Sequence, residues 1–209
     1  MEVEGEGCPL KLRPESLTVV EGGLGGGAEV ERLCKAATLL YEQGRFDEAR
    51  RQWERALVVD PRDMETLHNL GALHVRQDRL EQAQSLYERA VDVNPHQVET
   101  LACLGNLHFR QDRNEQAQRL WERALEFNPR HNNSLYFLGY LHNEQGRPDE
   151  AQSLWERAVA VDPRDVRSLS LLGTLHAMQG RDEEARPLLE RALAIEPENP
   201  AILNMLAQI

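Results

Sequence analysis

Apolar residues in the long C-terminal part of the chain follow the spacing of paired amphipathic helices. In one stretch, Leu67, Leu70 and His74 recur at steps of three and four residues, which places them on one face of a helix. Ala83 and Ala90 mark a second such face shortly afterwards. The pattern therefore predicts two antiparallel helices joined by a short turn.

This pair of helices repeats with a period of 34 residues. Three sets of residues keep that step: prolines at Pro61, Pro95, Pro129, Pro163 and Pro197; alanines at Ala49, Ala83, Ala117, Ala151 and Ala185; and glycines at Gly71, Gly105, Gly139 and Gly173. A fixed period of this length is typical of repeat proteins, in which each unit stacks on the next. The repeats are 30–63, 64–97, 98–131, 132–165, 166–199 and a partial repeat 200–209.

The repeats predict eleven helices and no strand. We expect helices at 30–43, 46–60, 64–77, 80–94, 98–111, 114–128, 132–145, 148–162, 166–179, 182–196 and 200–209. Left-handed turns should end the first helices, because glycine and aspartate tolerate that conformation: Gly44, Asp78, Asp112, Gly146 and Gly180. Asp63, Asp165 and Asn199 stand at N-cap positions. Pro187 lies inside a helix and predicts a kink or a late start there.

The motifs L-G-x-L-H, A-x-x-L-W-E-R-A and the closing proline resemble the tetratricopeptide repeat over residues 30–209. The chain departs from that family where it has histidine instead of the usual tyrosine near the end of each first helix. Repeats and resemblance together predict an all-α fold, a right-handed superhelical α-solenoid of tandem helix–turn–helix repeats. The resemblance also implies a concave groove, lined by the first helices, in which a peptide of a partner lies.

Residues 1–29 differ in composition from the repeats. They hold seven of the chain's 14 glycines, including the run Gly22–Gly27 interrupted by Leu24, and more acidic than basic residues. Such a segment has little apolar area to bury. We expect a disordered, glycine-rich acidic N-terminal tail.

Charge narrows the classes of partner. The 209 residues contain 24 Lys and Arg against 35 Asp and Glu, a net charge of −11. A chain this acidic repels phosphate backbones and anionic lipids, so neither nucleic acid nor a membrane is expected as a partner. Three cysteines, Cys8, Cys34 and Cys103, do not form a disulfide framework and indicate free thiols in a reducing compartment. We expect the cytoplasm, with the nucleus as the alternative.

Candidate chemistry is sparse. The histidine column His74, His108, His142 and His176 lies one repeat apart, about 10 Å between neighbours, which is too far for shared metal ligation. We therefore expect packed histidines and no metal. No motif of a nucleophile, a phosphate loop or a cofactor site is present, so the prediction is a non-enzyme without cofactors.

The face of each first helix opposite its packed stripe predicts the groove. Its first half is polar and its second half is rich in aromatic and apolar residues, which are typical anchors of protein interfaces. Burial of Tyr136 and Phe137 against neighbouring helices is the alternative interpretation. The candidate peptide-binding residues are Asn69, Arg76, Cys103, Asn106, Arg110, Tyr136, Phe137, Tyr140, Leu171, Met178 and Met205.

These features favour a non-catalytic adaptor that binds a peptide of a partner protein. Two alternatives stay open: a substrate-docking region of a larger enzyme, as in glycosyltransferases that carry such repeats, and a co-chaperone that reads C-terminal carboxylates. The last ten residues contain no Asp, Glu, Lys or Arg. Leu203, Leu206 and Ala207 continue a core stripe that has no second helix to cover it, and Ile202 and Ile209 add to this apolar surface. We expect self-association through 200–209, unless the natural chain continues.

Overall fold

The computed structural model describes residues 9–10 and 26–209. Within these residues the chain forms eleven α-helices and no strand. In chain order they are α1 Gly26–Glu42, α2 Phe46–Val59, α3 Met64–Arg76, α4 Leu80–Val93, α5 Val98–Arg110, α6 Asn114–Phe127, α7 Asn132–Glu144, α8 Pro148–Val161, α9 Val166–Met178, α10 Asp182–Ile195 and α11 Pro200–Leu206. The predicted all-α fold of tandem helix–turn–helix repeats is confirmed.

The helix bounds follow the 34-residue period. Ten of the eleven helices begin at the predicted residue, and α1 to α10 each end one residue early. The exception at the start is α1, which begins at Gly26 and so takes four residues from the predicted tail. Glu29 lies in its first turn, where an acid is favoured by the helix dipole. The rest of the predicted tail lies outside the described residues, apart from Pro9 and Leu10.

The turn inside each repeat has the predicted left-handed residue. Asp78 has φ of 56° and Gly146 has φ of 72°. The next residue closes the helix behind it: the amide of Arg79 donates to the carbonyl of His74 at 2.9 Å. This six-to-one bond satisfies a carbonyl that would otherwise lack a partner at the helix end.

All three predicted N-cap residues occupy the N-cap position of their helices. The Asp63 side chain accepts from the amide of Thr66, and Asn199 accepts from the first amides of α11. The Asp165 side chain makes no such bond to a backbone amide, because its carboxylate accepts instead from Asn132 at 2.9 Å and from the Ser168 hydroxyl at 2.6 Å.

Glycine in the first helix makes room for a large side chain in the second helix of the same repeat. A Cβ added to Gly71 would lie 2.7 Å from the Tyr87 ring, and one added to Gly139 would lie 2.6 Å from Nε1 of Trp155. These rings are fully buried or nearly so. Close approach of the paired helices therefore depends on the absence of a side chain at these glycines.

The chain divides into two compact units. Unit 1 is Met1–Asp112 and unit 2 is Arg113–Ile209. Within each unit, an arginine of a second helix donates to the carbonyl of the proline that ends the preceding repeat. Arg89 reaches Pro61 at 3.0 Å in unit 1, and Arg157 reaches Pro129 at 3.1 Å in unit 2. The repeating arginines thus join consecutive repeats as well as facing solvent.

Pro187 does not delay α10. The helix begins at Asp182, in register with the other second helices, and continues through Pro187 to Ile195. The predicted late start is therefore wrong. Pro187 and Glu183, whose carbonyl would have accepted the missing bond, are both exposed. Water can hydrate that carbonyl, which lowers the cost of the proline.

The short C-terminal helix packs on its own unit. Ile202 is buried against Leu169 and Leu189, and Ile209 packs on the same cluster. Arg186 donates to the Ile209 carbonyl. The prediction that Ile202 stays uncovered is therefore wrong, because α11 covers the end of α9 and α10 with this side chain. Leu203 keeps 44% of its surface exposed.

None of the helices in the described part of the chain is long and apolar enough to cross a membrane.

Candidate peptide-binding surfaces

The predicted groove residues of unit 1 differ in exposure. Asn69 and Cys103 are buried, Asn106 is half-buried, and Arg76 and Arg110 are exposed. The prediction of an accessible surface is therefore wrong for Asn69 and Cys103. Both stand on a side of the first helices that packs within the unit.

The two exposed arginines contact groups of the repeat before their own. The Arg76 guanidinium lies 4.8 Å from the centre of the Phe46 ring and 5.8 Å from that of Tyr41. Arg110 forms an ion pair with Asp78 at 2.8 Å. A ligand that used either cation would therefore exchange an existing contact for a new one.

The two described cysteines are in different states. Cys34 is not part of a disulfide, and its thiol lies 2.8 Å from the Thr66 hydroxyl. That hydroxyl donates to Asp63, so the thiol is the donor to Thr66. Cys103 is disulfide-bonded, so the prediction of a free thiol there is wrong. A disulfide is typical of oxidising surroundings, and the cysteine argument for a reducing compartment does not apply to Cys103.

An N-terminal dipeptide lies on the first helices of unit 1. His68, on α3, is fully buried, and its Nε2 lies 2.9 Å from the carbonyl oxygen of Pro9. Its Nδ1 lies 3.1 Å from the hydroxyl of Thr100 on α5. The next residue, Leu10, packs on the apolar cluster that includes Leu70.

These distances fix the tautomer of the His68 ring. A carbonyl oxygen only accepts, so Nε2 must carry the proton and donate to Pro9. In a neutral ring Nδ1 is then the acceptor, and Thr100 donates its hydroxyl proton to it. Thr100 thus orients the imidazole with its N–H directed at a main-chain carbonyl.

In unit 2, the aromatic pair of α7 belongs to the core. Tyr136 keeps 7% and Phe137 keeps 5% of its surface exposed. Phe137 stacks on Trp121 of α6 at 5.5 Å between ring centres. The Arg167 guanidinium of α9 lies over the face of the Tyr136 ring, 4.6 Å from the ring centre. The prediction of exposed apolar area is wrong for this pair, because α7 is covered by neighbours on more than one side.

Three predicted residues of unit 2 do present apolar surface. Tyr140 on α7 and Leu171 on α9 are half-buried and pack on one cluster that includes Trp155. Met178, at the end of α9, keeps 78% of its surface exposed. We call Tyr140, Leu171 and Met178 the unit-2 patch. Met205 is half-buried against the cluster of α11.

The histidine column is packed as predicted. His74, His142 and His176 are buried, and the Nδ1 atom of His176 lies 3.7 Å from a carboxylate oxygen of Glu184. Among the described residues, the Nδ1 atoms of His74 and His142 have no hydrogen-bond partner. Burial lowers the pKa of all three imidazoles, and a nearby arginine lowers it further: Arg79, Arg147 and Arg181, respectively. The described residues contain no group of three or more His, Cys, Asp or Glu side chains placed to hold a metal ion.

Sequence reasoning missed the contact between His68 and Pro9. The two residues are 59 positions apart, and Pro9 lies outside the repeats, so no periodic signal joins them. The one available signal was that His68 takes the place of an apolar or small residue in its column, where the other repeats have Cys34, Ala102, Tyr136 and Ser170.

Paired helices at a fixed period, with partly exposed side chains on the first helices, define a helical-repeat protein. Models of the family described as Tetratricopeptide repeat match residues 28–95, 97–164 and 142–209. The chain belongs to the tetratricopeptide-repeat family. In general terms it is therefore a protein-interaction module.

Solved structures of the family share the fold. The crystal structure of MamA is 25% identical, with a TM-score of 0.67, covering 78% of this chain and 95% of that one. YrrB, described as a TPR protein with an unusual peptide-binding site, is 21% identical, with a TM-score of 0.64 and coverage of 82% and 89%. PilF of Pseudomonas aeruginosa is 15% identical, with a TM-score of 0.79 and coverage of 86% and 82%. Comparison with curated proteins gives no significant match.

Proposed function

We propose that the chain is a non-catalytic adaptor whose unit-2 patch anchors an apolar side chain of a partner peptide. The observation that carries this proposal is the pairing of Tyr140 and Leu171. They stand on consecutive first helices, lie half-exposed on one buried cluster, and have the exposed Met178 on the same helix as Leu171. Aromatic and methionine side chains on a supported apolar surface are typical of interaction sites.

The negative charge near the unit-2 patch limits the kinds of peptide that it would bind. Burial raises the pKa of the Tyr140 hydroxyl, and the negative charge of Glu144, one helical turn further along α7, raises it further. The net charge of the chain is −11. A peptide with an aromatic or aliphatic anchor and flanking Lys or Arg would complement both features.

Selection from a library of random peptides displayed on phage, with the full chain as bait, tests the proposal. Enriched peptides are then measured by fluorescence anisotropy against wild type and the triple variant Tyr140→Ala, Leu171→Ala, Met178→Ala. We expect apolar and basic consensus residues and about a tenfold or greater loss of affinity in the variant. Equal affinities of the two chains for a peptide would show that the peptide binds outside the unit-2 patch. A selection that enriches no peptide at all would overturn the proposal.

The control carries alanine at two exposed apolar residues of unit 1, Leu39 and Val58. It should bind the selected peptides as wild type does. Tyr136 and Phe137 are left unchanged, because truncation of a buried ring costs about 3 kcal/mol or more and would unfold the unit. Circular dichroism of each variant confirms that helicity is retained.

A further inference from the structure

The contact of Pro9 and Leu10 with unit 1 has the form of a bound peptide. A buried side chain donates to a main-chain carbonyl, and the following side chain enters an apolar cluster. Pro9 is itself exposed, while Leu10 is half-buried. Unit 1 therefore contacts the carbonyl oxygen of one residue and the apolar side chain of the next. Proline has no backbone N–H, and this contact does not require one at Pro9.

The receiving side of this contact is built from buried groups of two first helices. His68 and Thr100 are both fully buried, on α3 and α5. The His68 ring also lies 5.6 Å from the Tyr87 ring, which limits its rotation. A hydrogen bond from a buried, preoriented donor stabilises a complex more than one from an exposed donor. Without the bond, the buried N–H would have no acceptor, which costs free energy.

We propose that this face of unit 1, which we call the His68 face, is a peptide-binding site for a Pro–Leu type segment, and that residues 9–10 occupy it as an intramolecular ligand. In the chain whose Cys103 disulfide is reduced, an external peptide of the same chemistry then binds only by displacing them. The proposal rests on peptide recognition, as the proposed function does, but it concerns a different unit and names its own ligand.

The covalent connection decides how strong this competition is. Leu10 belongs to the same chain as α1, so its association is intramolecular. A ligand tethered by a short connection acts at an effective concentration on the order of millimolar. Even a weak segment would therefore mask the site against a partner present at micromolar concentration.

A labelled peptide copy of the segment tests the proposal. The probe is a fluorescein-labelled peptide of residues 4–15 with Ser in place of Cys8, measured by anisotropy against full chains. Dithiothreitol is present throughout, so that the disulfide at Cys103 does not contribute. Leu10→Asp in the full chain should release the internal segment and increase the affinity for the probe by about tenfold or more over wild type.

Matched controls separate release of the segment from a change of charge. Leu39→Asp adds the same charge at an exposed leucine of unit 1 and should leave the affinity at the wild-type value. A probe that carries Leu10→Asp should not bind the released chain. In the released chain, His68→Leu should abolish binding, whereas His68→Gln, which keeps an N–H donor, should retain part of it.

Two results would overturn the proposal. One is equal affinity of wild type and the Leu10→Asp chain for the probe, and the other is the absence of binding to either. Neither result affects the library selection on the unit-2 patch, so failure of this proposal and failure of the proposed function are distinguishable. Circular dichroism checks that the His68 variants fold, and Leu10→Asp alone already tests the competition if they do not.

Discussion

At the scale of single residues, the glycine of each first helix sets the distance between paired helices. Replacement of Gly139 by Ala would bring a methyl group to 2.6 Å from the Trp155 ring. Because that ring is buried, the helices must separate, and we expect a loss of about 1–3 kcal/mol in the free energy of unfolding. Urea unfolding followed by circular dichroism measures the change.

Gly27 provides the matched control. It lies in α1, is exposed, and has nothing within 4 Å of an added Cβ. Because Gly27 is the second residue of α1, Gly27→Ala should leave the free energy of unfolding unchanged or raise it by less than about 1 kcal/mol through helix propensity. A stabilising effect of both substitutions would show that Gly139 is not needed for close packing.

The buried histidines predict a loss of stability in mild acid. The pKa values of His74, His142 and His176 are lower in the folded chain than the ordinary value of 6.5. As the pH falls below about 6.5, the unfolded chain takes up protons first, so the free energy of unfolding decreases. Unfolding midpoints between about pH 7.5 and 5.5 should therefore fall with pH.

The contribution of one buried histidine can be tested by substitution. His74→Gln removes a buried titrating group and should make the unfolding midpoint less dependent on pH. The control is Val58→Gln, which changes an exposed side chain without a titratable group and should leave the dependence as in wild type. Equal slopes in wild type and the His74→Gln chain would contradict the assignment to this column.

At the scale of helices, we expect Pro187 to lower the free energy of unfolding, because it removes one backbone hydrogen bond from α10. Its column holds Ser85 and Ser153 in other repeats, and α10 keeps the register of those helices in spite of the proline. Pro187→Ser should restore one backbone hydrogen bond and raise the free energy of unfolding by up to about 3 kcal/mol. The reverse change in α8, Ser153→Pro, should lower it. Unchanged urea midpoints in both variants would refute the prediction.

The sequence determined the helices better than the candidate surfaces, for a physical reason. Ten of the eleven helices begin where the 34-residue period places them, because caps and turns such as Asp63 and Asp78 are local. Burial of Tyr136 and Phe137 depends on contacts with α6, α8 and α9. A projection of one helix assigns it a single packed side, whereas a first helix inside a repeat array packs on several.

The same limit applies to unit 1. Asn69 and Cys103 stand on the side expected to be open, and both are buried. The contact of Pro9 with His68 joins residues 59 positions apart and has no periodic signature. Long-range contacts of this kind follow from the folded arrangement and cannot be derived from the spacing of apolar residues.

At the scale of the whole molecule, self-association through residues 200–209 stays a prediction. Ile202 is buried, so its replacement would disturb folding and cannot test the idea. Leu203 is exposed on α11, and Leu203→Glu introduces a charge there without removing a core side chain. If the C-terminal helix mediates association, sedimentation at high concentration should show oligomers for wild type and monomers for this variant.

The control for sedimentation is Val58→Glu, which places the same charge at an exposed apolar residue of unit 1, outside the unit-2 patch. It should behave as wild type. Monomers in all three samples would exclude association through this helix. Oligomers that persist in the Leu203→Glu chain would assign the contact to another surface.

The column of large rings in the second helices also makes the protein its own optical reporter. All three tryptophans of the chain are fully buried or nearly so, Trp53 in unit 1 and Trp121 and Trp155 in unit 2. Tyr87 stands in the same column, so Trp→Tyr is a replacement that this fold already accepts. A chain with Tyr at positions 121 and 155 would emit from Trp53 alone. Its shift to longer wavelength on contact with water would then follow the opening of unit 1 separately from unit 2.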